Sequence, residues 1–402
     1  MTDGNAPAQP FAYQVMLKPR GAVCNLDCSY CYYLSKEKLY PGSEFRMSDE
    51  LLEDYIRQYI ESQNAPEITF AWQGGEPLLM GLDFYRKVVE FQWKYVPSGR
   101  RIVNAFQTNG ILLDEEWCSF FHDHGFLIGL SLDGPRELHD AYRTDKGGEP
   151  TWSRVMNGLD HLRRHEVEFN ILTCVHAANM DHPTEVYRFL RDEVEAWFIQ
   201  FIPIVERDNE TGFQEGDRIT DQSVTGRAYG SFLTGVFDEW VRNDVGTVFV
   251  QIFDIALAAW YGMRPALCIF EETCGSALVM EHNGDIYSCD HFVEPHHLVG
   301  NIADEPLIDL VRSDQQNEFG SAKRDTLPGF CRECDVRFIC NGGCPKNRVL
   351  RTSDGEPGLN WLCKGYQTFF RHIDPAMQFM AGELRAGRAP ANVMNQLPGS
   401  GF

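Results

Sequence analysis

Apolar strand-like runs alternate with helical patterns over the first 245 residues of the chain. This alternation predicts βα units and a parallel sheet, because parallel strands need long crossover connections that are usually helices. Six such units predict an α/β fold built as a partial (β/α)6 barrel, with reactive loops at the carboxyl ends of the strands. The six runs are Phe11–Leu17, Glu67–Trp72, Arg101–Gln107, Leu127–Leu132, Asn170–Val175 and Phe198–Pro203.

The rest of the chain divides by composition. Residues 1–10 are small and polar and predict a flexible tail, so the barrel is assigned to residues 11–245. Short segments rich in Cys, Gly and Pro then predict a small cysteine-rich domain over residues 246–375. Residues 376–402 are rich in Gly, Ala and Pro, which predicts a helix end followed by a tail.

Net charge excludes some partners. The formal charge of -22 repels phosphate, so we expect no nucleic acid and no anionic membrane as partner. No stretch of about 18 apolar residues and no export signal is found, which predicts a cytoplasmic protein. Thirteen cysteines in a reducing compartment favour metal ligation over disulfides.

Cys24, Cys28 and Cys31 form a CxxxCxxC motif directly after the first predicted strand. Three thiolates on one loop can hold three irons of a four-iron cluster and leave the fourth iron open for chemistry. Zinc is the alternative, but a structural zinc normally takes four ligands, and no fourth is offered locally.

A second cysteine region follows much later in the chain. Eight thiols are the number that two fully ligated four-iron clusters need. Such clusters could act as structural staples or, as we favour, as an electron relay. The eight are Cys268, Cys274, Cys289, Cys331, Cys334, Cys340, Cys344 and Cys363.

The CxxxCxxC loop, followed by Tyr32 and Tyr33, resembles the signature of radical S-adenosylmethionine (SAM) enzymes. The resemblance implies a radical SAM type of barrel and S-adenosylmethionine chelated at the open iron. It also implies contacts to that cofactor from the Gln-Gly-Gly-Glu-Pro turn and from a serine and an arginine that would hold the methionine carboxylate. The expected cofactor-binding residues are Tyr33, Gln73, Gly74, Gly75, Glu76, Ser131 and Arg143. For Tyr33 and Gln73, simple packing at the barrel mouth is an equal alternative.

The spacing from Cys331 to Cys344 resembles the SPASM extension of peptide-modifying radical SAM enzymes. By this resemblance the ligands interleave, and the chain carries three 4Fe-4S clusters in all. Cys268, Cys274, Cys289 and Cys344 would hold the cluster nearer the active site. Cys331, Cys334, Cys340 and Cys363 would hold the outer one.

Longer stretches, such as Phe70–Leu79 and Phe198–Pro203, are similar to anaerobic sulfatase-maturating enzymes. The similarity runs from about residue 11 to residue 370, with departures in the tails and in residues 206–225. It implies oxidation of a Cys or Ser in a sulfatase C/S-x-P-x-R segment to formylglycine, supported by a flavodoxin- or ferredoxin-type reductant. Asp290, next to Cys289, is the expected catalytic base.

Two other functions stay open at this point. Another SPASM enzyme, such as one that forms thioether links in a peptide, would share every cluster motif. A non-catalytic electron-transfer protein would have only closed clusters, and the three-cysteine loop argues against it.

Overall fold

A computed structural model describes residues 13–396 of the chain, so the predicted tail at residues 1–10 lies outside the described residues. Ten strands of this part form one sheet, and a further pair forms a small hairpin. The strands are β1 Gln14–Lys18, β2 Glu67–Trp72, β3 Arg101–Thr108, β4 Phe126–Ser131, β5 Phe169–Val175, β6 Phe198–Pro203, β7 Phe249–Val250, β8 Ala277–Glu281, β9 Asp285–Tyr287, β10 Leu298–Asn301, β11 Leu350–Arg351 and β12 Pro357–Leu359.

The large sheet has the order β10-β9-β8-β1-β2-β3-β4-β5-β6-β7. All pairs from β8 to β7 are parallel, and β9 and β10 continue the sheet in antiparallel fashion. Because parallel strands β1 to β6 follow one another in chain order, their carboxyl ends meet along one edge of the sheet. The α/β architecture with six consecutive βα units is therefore confirmed.

Helices connect and cover the strands, and most are short after residue 300. The first α-helix begins directly after Ser48, whose hydroxyl accepts a hydrogen bond from the backbone N–H of Leu51, as an N-cap does. The helices are α1 Asp49–Ser62, α2 Leu82–Tyr95, α3 Glu115–Asp123, α4 Arg136–Asp140, α5 Trp152–Arg164, α6 Pro183–Arg188, α7 Gly226–Asn243, α8 Gln251–Tyr261, α9 Leu307–Val311, α10 Asp314–Asp325, α11 Gly329–Arg332, α12 Arg337–Cys340 and α13 Cys363–Arg385.

One contiguous apolar core joins the barrel to the cysteine-rich region. Helix α13 packs against α7 where glycines face each other, and a Cβ on Gly365 would lie only 2.0 Å from the carbonyl oxygen of Gly226. This close approach places Cys363, the first residue of α13, beside the barrel. Helix α13 also runs through residue 375, where composition suggested a boundary; the domain limits stay a prediction.

Between residues 13 and 396, no helix combines the length and the apolar character that crossing a membrane requires.

Candidate active site

Cys24, Cys28 and Cys31 lie on the loop after β1, and each is partly buried. Burial raises the pKa of Cys24 to about 12 and that of Cys28 to about 11, and it raises the pKa of Cys31 as well. Each of the three possible pairs is close enough for one thiolate to raise the pKa of the other. Three buried thiolates of one charge need a cationic partner, so this donor set fits the irons of a cluster.

Backbone hydrogen bonds fix the loop that carries these cysteines. The N–H of Leu26 and the side-chain amide of Asn109 both reach the Cys24 sulfur, at 3.4 and 3.8 Å. The N–H groups of Asp27 and Ser29 donate to the carbonyls of residues 144 and 142. The cysteine loop is therefore tied to the segment between α4 and α5 and to the end of β3.

Gly74 and Gly75 lie against the same loop. The N–H of Gly75 donates to the carbonyl of Gly21 at 2.8 Å, and a Cβ on Gly75 would lie 2.2 Å from the carbonyl oxygen of Val23. Gly74 has φ of +135°, a conformation that glycine adopts without strain. Within the protein, the two glycines thus let the turn after β2 pack on the backbone of the cysteine loop.

The Glu76 carboxylate is fully buried at this turn. It accepts hydrogen bonds from the Leu78 N–H at 3.0 Å, the Thr108 hydroxyl at 2.9 Å and the Asn109 N–H at 2.9 Å. Burial outweighs these bonds and raises the pKa of Glu76 to about 7.

Ser131 is the last residue of β4. Its hydroxyl accepts a hydrogen bond from the side-chain amide of Gln107 in β3 at 2.9 Å.

Arg143 is buried at the ends of β4 and β5 and donates to the Tyr30 hydroxyl at 2.9 Å. Tyr30 in turn donates to Asp133. Burial favours the protonated form of Asp133, but Arg143 and His176 together hold its pKa below the usual range. The Nε of Arg143 is buried and has no hydrogen-bond partner among the described residues. A buried N–H of this kind is a donor left for an anion.

Tyr33 and Gln73 both contact Lys18, the last residue of β1. The Lys18 ammonium lies 4.3 Å from the centre of the Tyr33 ring and donates to the Gln73 side-chain oxygen at 2.8 Å. The Tyr33 hydroxyl donates to Glu281 on β8. These contacts are within the protein, and a role of Tyr33 or Gln73 toward a cofactor stays a prediction.

Asp290 follows Cys289 and faces the cysteine loop. Its Oδ1 lies 2.6 Å from the Lys18 ammonium, and its Oδ2 accepts a hydrogen bond from the Tyr32 hydroxyl. Burial favours the protonated acid, but Lys18, His291 and the Tyr32 hydroxyl together outweigh that effect and hold the pKa of Asp290 below its usual range. The side chain as a whole is 17% exposed although Oδ1 is buried, so the ionised carboxylate is accessible on one side only.

Cys268, Cys274, Cys289 and Cys344 come together in a second group. The thiols of the first three each lie near enough to Cys344 for a mutual rise in pKa. The buried ammonium of Lys323 lies beside this group and donates to the carbonyls of Cys268 and Ile269 at 2.7 and 3.0 Å.

Cys331, Cys334, Cys340 and Cys363 line a single cavity together with Phe330 and Gln367. The two spatial groups coincide with the division that the SPASM resemblance implies, although ligation itself stays a prediction. Between residues 13 and 396, no three His, Cys, Asp or Glu side chains converge as ligands of a single metal ion do. In a four-iron cluster, by contrast, each thiolate binds a separate iron.

Comparison with known proteins matches both halves of the chain. Residues 19–190 match the radical SAM superfamily, and residues 268–335 match an iron-sulfur cluster-binding domain called SPASM. The chain is 49% identical to the serine-type anaerobic sulfatase-maturating enzyme of Bacteroides thetaiotaomicron, over 96% of both proteins. The chain belongs to the anaerobic sulfatase-maturating enzymes.

More distant members of the anaerobic sulfatase-maturating enzymes agree with this assignment. The cysteine-type enzyme of Clostridium perfringens is 31% identical over 92% of this chain and 99% of its own length. The solved structure of native anSMEcpe with bound AdoMet and the Cp18Cys peptide is 31% identical and superimposes with a TM-score of 0.83, covering 92% of this chain and 99% of that one.

Membership in the anaerobic sulfatase-maturating enzymes confirms the expected cofactors, which are 4Fe-4S clusters and S-adenosylmethionine, and an activity that modifies a protein. Sequence reasoning missed the part played by Lys18, Tyr30 and Tyr32. A lysine that ends an apolar strand just before a cysteine motif was the available signal for Lys18, and the two tyrosines flank Cys31.

Proposed function

We propose that this protein oxidises the serine of a sulfatase C/S-x-P-x-R segment to formylglycine. Support for serine comes from the relatives: the one that is 49% identical is serine-type, and the one that is 31% identical is cysteine-type. Support for a peptide substrate comes from the bound peptide in the structure of anSMEcpe.

The observation that carries the proposal is the hydrogen bond between Tyr32 and Asp290. Tyr32 follows the last cysteine of the first loop, and Asp290 follows a cysteine of the second group. One carboxylate therefore lies between the place where a radical would form and a place where an electron could leave. A reaction that removes a hydrogen atom, a proton and an electron from one alcohol needs this arrangement.

The chemistry of the bound groups can be stated briefly. When bound, S-adenosylmethionine and its cluster would supply a 5'-deoxyadenosyl radical that takes a hydrogen atom from the target β-carbon, and an auxiliary cluster would take one electron. Asp290 accepts the hydroxyl proton, so that the CH2–OH group loses two hydrogens and becomes an aldehyde. Its lowered pKa keeps Asp290 in the carboxylate form that a base requires.

Other residues of the site bind rather than react. In this proposal Arg143 and Ser131 hold the methionine carboxylate, and the buried, unpartnered Nε of Arg143 supports that role. Glu76 lies at the end of the neighbouring strand, close to Cys24, where the methionine amino group is expected. Gly74 and Gly75 shape the turn that brings Glu76 there.

Partners and location complete the proposal. A flavodoxin- or ferredoxin-type protein supplies the reducing electron, and the enzyme works in the cytoplasm on a nascent sulfatase without nucleic acid or membrane. The abundance of free thiols and the net charge of -22 support this setting.

The test is anaerobic incubation of the reconstituted, reduced enzyme with S-adenosylmethionine and two matched peptides, one with Ser and one with Cys at the target position. Mass spectrometry should show the aldehyde in the Ser peptide, with one 5'-deoxyadenosine per product. If only the Cys peptide reacts, the serine assignment is wrong. If deoxyadenosine forms and both peptides stay unchanged, the substrate class is wrong.

A further inference from the structure

We propose that Lys18 is the positioning residue for the base: it holds the Asp290 carboxylate in place for proton removal. The inference rests on the proposed function, because it assigns Asp290 the role of base. Lys18 itself does not contact substrate in this scheme and acts through Asp290.

Three contacts fix the Lys18 ammonium. It lies 2.6 Å from Asp290 Oδ1, donates to Gln73 Oε1 at 2.8 Å, and lies over the ring of Tyr33 at 4.3 Å. These neighbours come from the auxiliary cysteine region, the turn after β2 and the cysteine loop. Lys18 therefore connects the three parts of the chain that form the site.

The backbone of Lys18 is held as firmly as its side chain. Lys18 ends β1, which pairs with β2 on one side and with β8 on the other, where its register partner is Glu281. A central strand leaves little freedom for its last residue. The side chain is only 1% exposed, so water cannot take the place of its partners.

The carboxylate keeps its capacity as a base in this arrangement. Lys18 forms an ion pair with Oδ1, which is buried, and the Tyr32 hydroxyl donates to Oδ2. A carboxylate oxygen can accept two hydrogen bonds, so Oδ2 keeps a position for a substrate hydroxyl while the two contacts set the direction of the carboxylate. Without the ammonium, one oxygen would lose its anchor and the carboxylate could rotate.

A misplaced Asp290 carboxylate should affect the two products of the reaction differently. In this scheme the radical takes its hydrogen atom from the β-carbon and not from the hydroxyl, so a misplaced Asp290 still permits 5'-deoxyadenosine to form. Less formylglycine is then formed for each molecule of 5'-deoxyadenosine. The diagnostic quantity is the ratio of formylglycine to 5'-deoxyadenosine, which a general loss of folding or of cofactor binding does not change.

The experiment compares the reconstituted enzyme with Lys18→Met, Lys18→Arg and Lys36→Met, using the Ser peptide. Lys36 is the matched control, because it is also a buried lysine near the site, but its ammonium donates to the carbonyl of Gly212. We expect Lys18→Met to lower the ratio at least about tenfold, Lys18→Arg to restore part of it, and Lys36→Met to keep the wild-type ratio.

Non-additivity gives a second readout. If Lys18 acts through Asp290, adding Lys18→Met to Asp290→Asn causes less than about a twofold further loss of formylglycine. An unchanged ratio in Lys18→Met, or multiplicative losses in the double variant, overturns the proposal. If Lys18→Met does not fold, Lys18→Gln replaces it in both measurements, and an unchanged ratio or multiplicative losses in that variant reject the role. A wild-type enzyme that cleaves S-adenosylmethionine but leaves the peptide unchanged refutes the proposed function instead.

Discussion

The thiol of Cys24 lies near the carboxylate of Glu76, and that of Cys28 lies near both Arg143 and Asp133, whereas the thiols of Cys268 and Cys274 lie beside the ammonium of Lys323. Of the two carboxylates, only Asp133 is held ionised, by Arg143. A cluster becomes more negative when it is reduced, so nearby cations favour the reduced state and nearby anions oppose it. The charges around the first loop are therefore mixed, whereas Lys323 favours the reduced state of a cluster held by the second group, as an electron acceptor requires.

Anchoring differs between the two regions as well. Backbone hydrogen bonds fasten the first cysteine loop to the segment between α4 and α5. In the second region, long cationic side chains hold the loops: Lys323 binds two carbonyls beside Cys268, and Arg348 binds carbonyls at Asn341 and Gly342. Lys323 thus both holds a loop in place through hydrogen bonds and brings a positive charge to the thiols.

The largest effect should come from removing one ligand in each region. Cys28→Ala should abolish 5'-deoxyadenosine formation and reduce bound iron by about four atoms, because the cluster that cleaves S-adenosylmethionine is lost. Cys334→Ala should also lose about four irons but retain deoxyadenosine formation. Iron analysis and chromatography of the products measure both quantities. Equal loss of deoxyadenosine in the two variants would remove the functional distinction between the regions.

Asp290→Asn tests the residue that lies between the regions. We expect formylglycine formation to fall by about 10²- to 10⁴-fold, because the amide cannot accept the proton, while deoxyadenosine formation continues. Quantitative mass spectrometry of the peptide gives the ratio. Asp304→Asn, at an exposed position, is the control and should behave as wild type.

Lys323→Met tests whether the charge of Lys323 sets the reduction potential of an auxiliary cluster. Removing this buried cation should make an auxiliary cluster harder to reduce, by about a tenfold change in the ratio of reduced to oxidised cluster, which corresponds to about 59 mV for one electron. A potentiometric titration followed by electron paramagnetic resonance measures it. Lys364→Met removes an exposed cation near Cys363 and should give a smaller shift, because solvent screens that charge. Equal shifts would contradict the interpretation.

The smallest effect concerns a carboxyl group outside both regions. Asp133 is ionised because Arg143 and His176 oppose its burial, but burial alone acts on Asp254 in α8 and raises its pKa from 3.8 to about 6. The folded state therefore binds this proton more tightly than the unfolded state, and the free energy of unfolding falls as pH rises from about 4 to about 6.

Asp254→Asn should remove the decrease in the free energy of unfolding that the ionisation of Asp254 causes as pH rises. Above pH 6 the variant should be more stable than wild type by about 1–3 kcal/mol, seen as a Tm higher by a few degrees, with a smaller difference near pH 4. Asp123→Asn, at an exposed position, is the control. A Tm difference that does not depend on pH would argue against the raised pKa.

Local pattern was enough to predict much of the fold. The bounds of β2 and β6 were predicted as observed, since strand propensity depends on neighbouring residues. The grouping of the cysteines followed from the family resemblance rather than from spacing.

Contacts between distant segments were not predictable in the same way. The pairing of β8 with β1 joins residues more than 250 positions apart, and no local pattern specifies it. For the same reason Lys18 could not be connected with Asp290, and Tyr30 could not be connected with Asp133 and Arg143. The extra strands β7 to β10 were missed because they are short and lie among turns.

The position of β1 in the middle of the sheet has a consequence for biosynthesis. One edge of β1 pairs with β8, Ala277–Glu281. At a synthesis rate of about 5–20 residues per second, β8 emerges from the ribosome tens of seconds after β1. During that time the strand leading to the first cysteine motif has an open edge that other chains could pair with. We therefore expect a nascent chain that ends before residue 277 to depend on chaperones, and we expect stable insertion of the first cluster to follow the synthesis of β8.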